Sequence, residues 1–372
     1  MSPNPFTPSA GSPPPLLVGR QDELDAFEEA LDDGPGSPGR LGIFTGARGV
    51  GKTVMLTEIG ELALRHGWVT IAETALAGLI DRLTIAVTDH IDTLGSAPSR
   101  HRSVTGAQLP FNAGGITVSD RPAAETGLRS KLGRLLDLLD RRETGLLITV
   151  DEVHRSARED LRSLAATFQH LVREERNIAL VMAGLPSSVS GLLSDEVLTF
   201  LRRADPHPLA EVSLAEVEEA LQHTIADSGR RITDNALEMA TAATDGYPFL
   251  IQLVGYHCWR HADGETIDLP AAQAGVAAAR RRLGATVHAP ALADLSAVDR
   301  TFLLAMSKDN GPSRTSDITT RLQVTKAYTS VYRARLIDAG VIEPVARGTV
   351  DFAIPYLREY LREHAATIRT HH

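Results

Sequence analysis

Gly46-Ala47-Arg48-Gly49-Val50-Gly51-Lys52-Thr53 decides the fold of this chain, standing directly behind the apolar run Leu41-Gly42-Ile43-Phe44-Thr45 and ahead of a helical pattern. Glycines at these spacings let consecutive backbone N–H groups turn inward around a β-phosphate, and the helix N-terminus that follows adds partial positive charge. Lys52 is then placed to reach the β/γ oxygens and the Thr53 hydroxyl to ligate Mg²⁺, with Val54 carrying the chain on into the helix. A glycine-rich turn between a strand and a helix is the plainer reading of eight residues alone. The strand before and the helix after favour a phosphate-cradling P-loop, with ATP and Mg²⁺ as its ligands.

A P-loop needs a metal carboxylate from a second strand. Leu146-Leu147-Ile148-Thr149-Val150-Asp151-Glu152 has the form of a buried parallel strand ending in two acids, a Walker B segment. Asp151 would hold Mg²⁺, directly or through water, and Glu152 would polarise the water that attacks the γ-phosphate in line. Without the P-loop, two acids here would read equally well as the first turn of a helix.

Composition sets the frame around these motifs. With 372 residues, 43% apolar and 5% aromatic, the chain has material for a large core and for two or three domains. A net charge of −9 argues against a protein that coats nucleic acid indiscriminately. The single cysteine, Cys258, excludes an intramolecular disulfide, and its apolar helical surroundings make it a small buried hydrophobe rather than a reactive thiol. No segment reaches the roughly 18 uninterrupted apolar residues of a membrane helix, and no basic region followed by an apolar stretch opens the chain. A soluble, cytoplasmic protein with no membrane partner is expected.

Residues 1–15 carry six prolines among Ser and Gly and read as a disordered tail with no core to bury. From residue 16 the pattern alternates strand and helix. An amphipathic helix follows Gly19 and ends at Asp33-Gly34-Pro35-Gly36, a strand is expected over 68–72, and a helix over 76–94. Residues 96–122 interrupt as a Gly/Ser/Pro-rich insertion with a hairpin-like stretch at 115–118. Helix over 128–142, strand through Val150, helix over 161–175 and strand over 178–183 complete a doubly wound parallel α/β sheet. Helical periodicity then covers 214–225, 235–243, 249–257 and 271–283.

Val18-Gly19-Arg20 with Glu23-Leu24, the P-loop, Val150-Asp151-Glu152 and Ala183-Gly184-Leu185-Pro186 resemble, in order and spacing, the AAA+ P-loop ATPases of the origin-recognition-like and STAND-like branches. The resemblance implies an AAA+ core over 16–204, a helical lid over 205–287 with nucleotide between lid and sheet, and ATP hydrolysis. It also implies that Val18, Gly19 and Arg20 border the adenine pocket, although the tripeptide alone is equally a chain entry before a helix. Leu198-Thr199-Phe200-Leu201-Arg202-Arg203 resembles the segment that carries an arginine finger toward a neighbouring subunit's γ-phosphate, implying a homo-oligomer or a nucleotide-dependent assembly. Arg202 and Arg203 are just as readily a surface pair complementing a helix dipole. Two departures point to slow turnover or to a switch. No Asn or Thr marks the first sensor position before Ala183-Gly184-Leu185-Pro186, and Gly246-Tyr247-Pro248 resembles the Gly-x-Pro motif of STAND-like ATPases, which would set Pro248 against the base; otherwise Pro248 simply starts a helix.

Beyond residue 290 the sign of the charge reverses. Residues 296–372 hold 11 Lys/Arg against 8 Asp/Glu, about +3, leaving about −12 for the rest. A helix over 298–306, a short one over 316–322, a longer one capped by Thr325, and strands at 341–343 and 350–354 around Ala346-Arg347-Gly348 look like a winged helix-turn-helix over 290–372. Lys326, Tyr328, Thr329, Tyr332 and Arg333 on its second helix and Arg347 on its wing are candidates for contact with double-stranded DNA. The same residues suit an ordinary solvated face, and winged domains also serve protein contacts. Two readings follow: an ATP-dependent DNA-binding AAA+ ATPase, favoured by the local charge, or a nucleotide-dependent signalling switch with a protein partner, favoured by Gly246-Tyr247-Pro248. A small-molecule kinase would leave the lid and winged domain without a role.

Overall fold

The computed structural model describes residues 3–9, 17–95, 123–194 and 196–368. The insertion at 96–122, with its hairpin-like stretch, lies outside them. In chain order come α1 (Gln21–Asp32), β1 (Leu41–Thr45), α2 (Lys52–Arg65), β2 (Val69–Thr74), α3 (Leu79–Gly95), α4 (Ala123–Asp140), β3 (Leu146–Val153), α5 (Arg158–Arg173), β4 (Ile178–Gly184), α6 (Pro186–Leu193) and β5 (Asp205–Pro208). The five strands form one parallel sheet in the order β2-β3-β4-β1-β5. This is a P-loop NTPase α/β fold.

Alternate side chains of the apolar strands serve both layers. Leu146, Ile148 and Val150 of β3 join Leu180 and Met182 beneath α3, α4 and α5, whereas Leu147, Ala179 and Val181 face α1 and α2 on the other side. A parallel sheet covered this way opens to ligands only beyond the carboxyl ends of its strands. The P-loop leaves β1 there, and Asp151-Glu152 leaves β3 there, with β4 between the two. Sequence periodicity did not anticipate β5: Asp205-Pro206-His207-Pro208 is a poor strand, tolerated because it sits on an edge, where a missing N–H leaves no ladder partner unpaired.

Helices α7 (Leu214–Asp227), α8 (Asp234–Thr244), α9 (Pro248–His261) and α10 (Leu269–Leu283) follow, with the short pair β6 (Arg231–Ile232) and β7 (Thr266–Ile267) between them. Ser213 starts α7 with a capping box to Glu216, and Asp268 caps α10 through Ala271 N. Their shared core contains Cys258, 1% exposed, whose thiol burial pushes up to about 12, a packed and unreactive group. The same core contains Phe6, 3% exposed. The expectation of a tail with nothing to bury therefore fails at residues 3–9. An aromatic side chain found a docking surface on α9 that no local pattern reveals.

The remaining elements are α11 (Ala289–Ala293), α12 (Ala297–Met306), β8 (Ser313–Arg314), α13 (Thr315–Leu322), α14 (Lys326–Asp338), β9 (Ile342–Ala346), β10 (Thr349–Phe352) and α15 (Leu357–Glu363). Thr325 caps α14 by accepting from Tyr328 N, and Ser296 starts α12 with a capping box. The expected β9–β10 hairpin gains a third strand in the antiparallel order β8-β10-β9. Helix α15, unanticipated, is tied in through Arg358, which donates to Met306 O and Asp309 O. Among the described residues no helix is long and apolar enough to cross a membrane.

Candidate nucleotide site

A cleft of about 1370 Å³ opens at the carboxyl ends of β1 and β3, bounded by the sheet, by α9 and by the end of α14. It is wider than a typical small-ligand pocket of about 300 to 1,000 Å³. Residues 48–54 of the P-loop and Asp151, Glu152 and His154 form its floor, while Val18, Arg20, Tyr247 and Pro248 border it from the side.

The P-loop geometry follows from its glycines. Gly51, at φ 99°, is the left-handed N-cap of α2, and Gly49, at φ 78°, lies so close to the Tyr247 hydroxyl that a Cβ would fall 2.0 Å from it. Gly46 and Ala47 do not line the cleft. Their carbonyls instead accept hydrogen bonds from Lys52 Nζ at 2.8 and 2.7 Å. Thr53 Oγ1 donates to Asp151 Oδ2 at 2.6 Å, so a hydroxyl from the start of α2 and a carboxylate from β3 converge at one point. That hard-oxygen pair suits Mg²⁺ completed by phosphate and water oxygens, the usual manner of magnesium sites. Among the described residues no group of three His, Cys, Asp or Glu could hold a metal without such help.

Glu152 stands in the left-handed region at φ 53°, its N–H donating to Asp151 Oδ1 at 2.7 Å, where the β3–β4 register shifts between Val150 and Val153. A non-glycine residue held there stores about 1 to 3 kcal/mol, a cost found mostly at functional positions. The bulge turns the Glu152 side chain out of the ladder to line the cleft.

Burial pushes the Lys52 ammonium down to about 8, with Arg48 adding to the shift and Asp151 and Glu152 opposing it. The folded value lies below that of an unfolded lysine. Lys52 therefore costs stability while charged, and the cost is relieved as pH rises through about 8 toward the ordinary lysine range. A bound triphosphate would keep the ammonium charged. ATP affinity is accordingly expected to fall by up to about tenfold per unit above pH 8. Titration calorimetry at pH 9 in buffers of different ionisation enthalpy should show nearly one proton taken up per nucleotide; zero uptake would sink the assignment.

The border residues have structural work as well. Arg20, 8% exposed, donates to Ala210 O and to Gly19 O, fastening the entry segment to the connection between β5 and α7. Gly19 shapes that turn at φ 63° without lining the cleft. Tyr247, 3% exposed, donates its hydroxyl to Arg48 O and so pins the start of α9 to the P-loop. Its place inside Gly246-Tyr247-Pro248 was the signal available for it in the sequence. Arg202 and Arg203 lie outside the cleft: Arg202 Nε donates to Leu193 O at 2.7 Å, and Arg203 is exposed.

The segment that follows β4 meets the C-terminal elements. Ser188 lines the cleft, Ser187 Oγ contacts Ile337 O at 3.5 Å, and Leu185 packs on Gly340. Asp338, on the last turn of α14, borders the same cleft. Farther out, Tyr356 donates to Ala243 O at 3.1 Å and His288 Nε2 meets Pro355 O at 2.8 Å.

Of the candidate DNA contacts, Lys326, Tyr328 and Arg347 are exposed, and Tyr332 and Arg333 are half-buried. Thr329 is a correction. It is fully buried, with Oγ1 bonded to Thr325 O and Thr319 Oγ1, because its place in α14 faces α13 rather than solvent. The Tyr328 and Tyr332 rings meet at a tilt of 42° with centroids 4.6 Å apart, and Val331 is exposed.

Residues 16–181 match the AAA ATPase domain family, and residues 285–361 match a domain of unknown function, DUF8462. Among solved structures, the chain is similar to the Walker-type ATPase PABY2304 of Pyrococcus abyssi, at 17% identity over 93% of this chain and 96% of that one, with a TM-score of 0.66. It is also similar to the Aeropyrum pernix ORC2 protein in its ADPNP–ADP complexes, at 14% identity over 97% of each chain, with a TM-score of 0.61. At such identities the likeness is one of fold. Comparison with curated proteins finds no sequence match.

Proposed function

We propose that this chain, an AAA+ P-loop protein whose residues 16–181 are an AAA ATPase domain, binds and hydrolyses ATP and couples the nucleotide's state to contact with double-stranded DNA. One observation carries the reading: Lys52, Thr53, Asp151 and Glu152 share a cleft whose far edge is the last turn of α14. On this reading 16–204 is the core, 205–287 the lid and 290–372 a winged helix, with Arg202 and Arg203 reserved for a neighbouring copy. The ORC2 protein's ADPNP–ADP complexes support nucleotide as the ligand.

Each residue then has a part. Lys52 neutralises the β/γ oxygens, backbone N–H groups of 49–53 cradle the β-phosphate, and Glu152 orients the attacking water and accepts its proton. Thr53 and Asp151 would hold Mg²⁺, which supplies charge neutralisation across the phosphates when bound. Turnover is slow, since the strand before Ala183-Gly184-Leu185-Pro186 carries no Asn or Thr at the sensor position.

For DNA, exposed Lys326 and Arg347 with half-buried Arg333 make about three phosphate contacts. Fluorescence anisotropy of labelled duplex DNA, with and without ATP and Mg²⁺, should show binding that strengthens with ATP and falls with a log–log salt slope of about −3. No binding at low salt by nucleotide-loaded protein would favour the second reading, a signalling switch with a protein partner. That reading draws on Ser187–Ile337 and Leu185–Gly340, which dock α14 against the core.

A further inference from the structure

Helices α9 and α10 gather positive charge on one wall of the cleft without a counter-charge. Tyr256, His257 and Arg260 of α9 and Arg282 of α10 line that wall. His257 is half-buried, and neither of its ring nitrogens has a hydrogen-bond partner among the described residues. Burial, together with His261, Arg260, Arg282 and Arg281, holds its imidazole below the ordinary histidine range, and none of the charges acting on it is a carboxylate. Arg260 is fixed in place, its Nη1 donating to the Tyr256 hydroxyl at 3.0 Å and its guanidinium 5.7 Å from the centre of that ring. Among the described residues Arg260, Arg281 and Arg282 form no ion pair. Basic residues in the last turns of α9 and α10 complement the helix dipoles, which accounts for their sign. It does not account for arginines from both helices gathering on one unpaired imidazole.

The cluster stands apart from the P-loop. Tyr247 meets Arg48 O at the start of α9, and His257 follows ten residues later, about 15 Å along the helix axis. Like charges repel more strongly where a cleft wall takes them out of water, and an anion placed among them turns that repulsion into attraction. Phosphate suits the donors best. A guanidinium fork pairs with two of its oxygens at once, and a phosphate monoester carries up to two negative charges against several cations, where a carboxylate carries one. We propose that the α9–α10 cluster is a second anion site of the cleft, in which Arg260 and Arg282 hold a phosphate group and His257 donates to it as imidazolium. The ligand is inorganic phosphate or a small phosphate monoester, bound independently of the nucleotide.

NMR of the full chain with labelled histidine tests this, with His257→Gln identifying the resonance. At constant ionic strength, replacing chloride by inorganic phosphate should raise the His257 titration midpoint by about one unit, the mark of anion binding about tenfold tighter to the imidazolium than to the neutral ring. The rise should persist in Lys52→Ala, whose P-loop lacks its cation. It should vanish when Arg260→Gln is combined with Arg282→Gln, two changes at exposed positions. Glycerol 3-phosphate separates the two sources: a larger rise than with phosphate assigns the site to a phosphate monoester, an equal or smaller one to the free ion. No rise in the parent overturns the proposal, as does a rise that is lost in Lys52→Ala or kept in the double arginine variant. A rise with duplex DNA and with neither small anion also overturns it, giving the cluster to a nucleic-acid backbone. None of these outcomes requires nucleotide to bind, so they stand apart from the nucleotide reading above.

Discussion

Lys52→Ala should lose ATP binding while the fold stays intact. Lys52 Nζ donates to the Gly46 and Ala47 carbonyls, so the ammonium is aimed along the P-loop. A triphosphate offers it charged oxygens instead, and each charge-assisted hydrogen bond there is worth about 1.5 to 3 kcal/mol. Two such bonds correspond to roughly a hundredfold or more in affinity. Arg48, the other cation of the loop, accepts from the Tyr247 hydroxyl through its carbonyl. Replacement of Lys52 also removes a charge that burial disfavours, so the apo protein should unfold at the same temperature or slightly higher. Calorimetric titration with ATP, alongside a thermal melt, checks both halves. An alanine protein that binds ATP as the parent does would remove the P-loop from the mechanism.

Glu152→Gln should separate binding from turnover. Glutamine has glutamate's length and its preferences in φ and ψ, so the left-handed backbone at φ 53° and the N–H bond to Asp151 carry over unchanged. Only the ability to take a proton is lost. A positioned general base contributes about 10² to 10⁴ in rate, and the ATPase rate should fall within that range while ATP affinity moves less than about twofold. Single-turnover hydrolysis, measured beside equilibrium binding, tells the two apart. Undiminished turnover would assign the attacking water to another group, with His154, which also lines the cleft, the first to test.

Different physics governed what was legible in the chain and what was not. The β1 and β3 runs and the glycines of the P-loop are local signals: a buried parallel strand must be continuously apolar, and a left-handed N-cap such as Gly51 must lack a Cβ. The helices α7 to α10 and α12 were visible through periodicity, and α14 through its cap Thr325. Edge strand β5 was not, because its only requirement is a partner in β1. Thr329 was placed among the candidate DNA contacts because spacing along α14 identifies a helix but not which side of it meets α13.

The sequence by itself therefore determined the α/β P-loop fold, the succession of β1 to β4 with α1 to α5, and which two segments bring phosphate and metal chemistry, since these depend on neighbours within a few residues. The tertiary structure alone decided that Thr53 meets Asp151 across 98 positions, that Glu152 is turned by a β-bulge, that Tyr247 pins α9 to Arg48, and that Phe6 sits on Gly255. Each is a contact between distant parts of the chain. Burial and hydrogen bonding select such contacts only after the elements have packed, so no run of adjacent residues carries their signature.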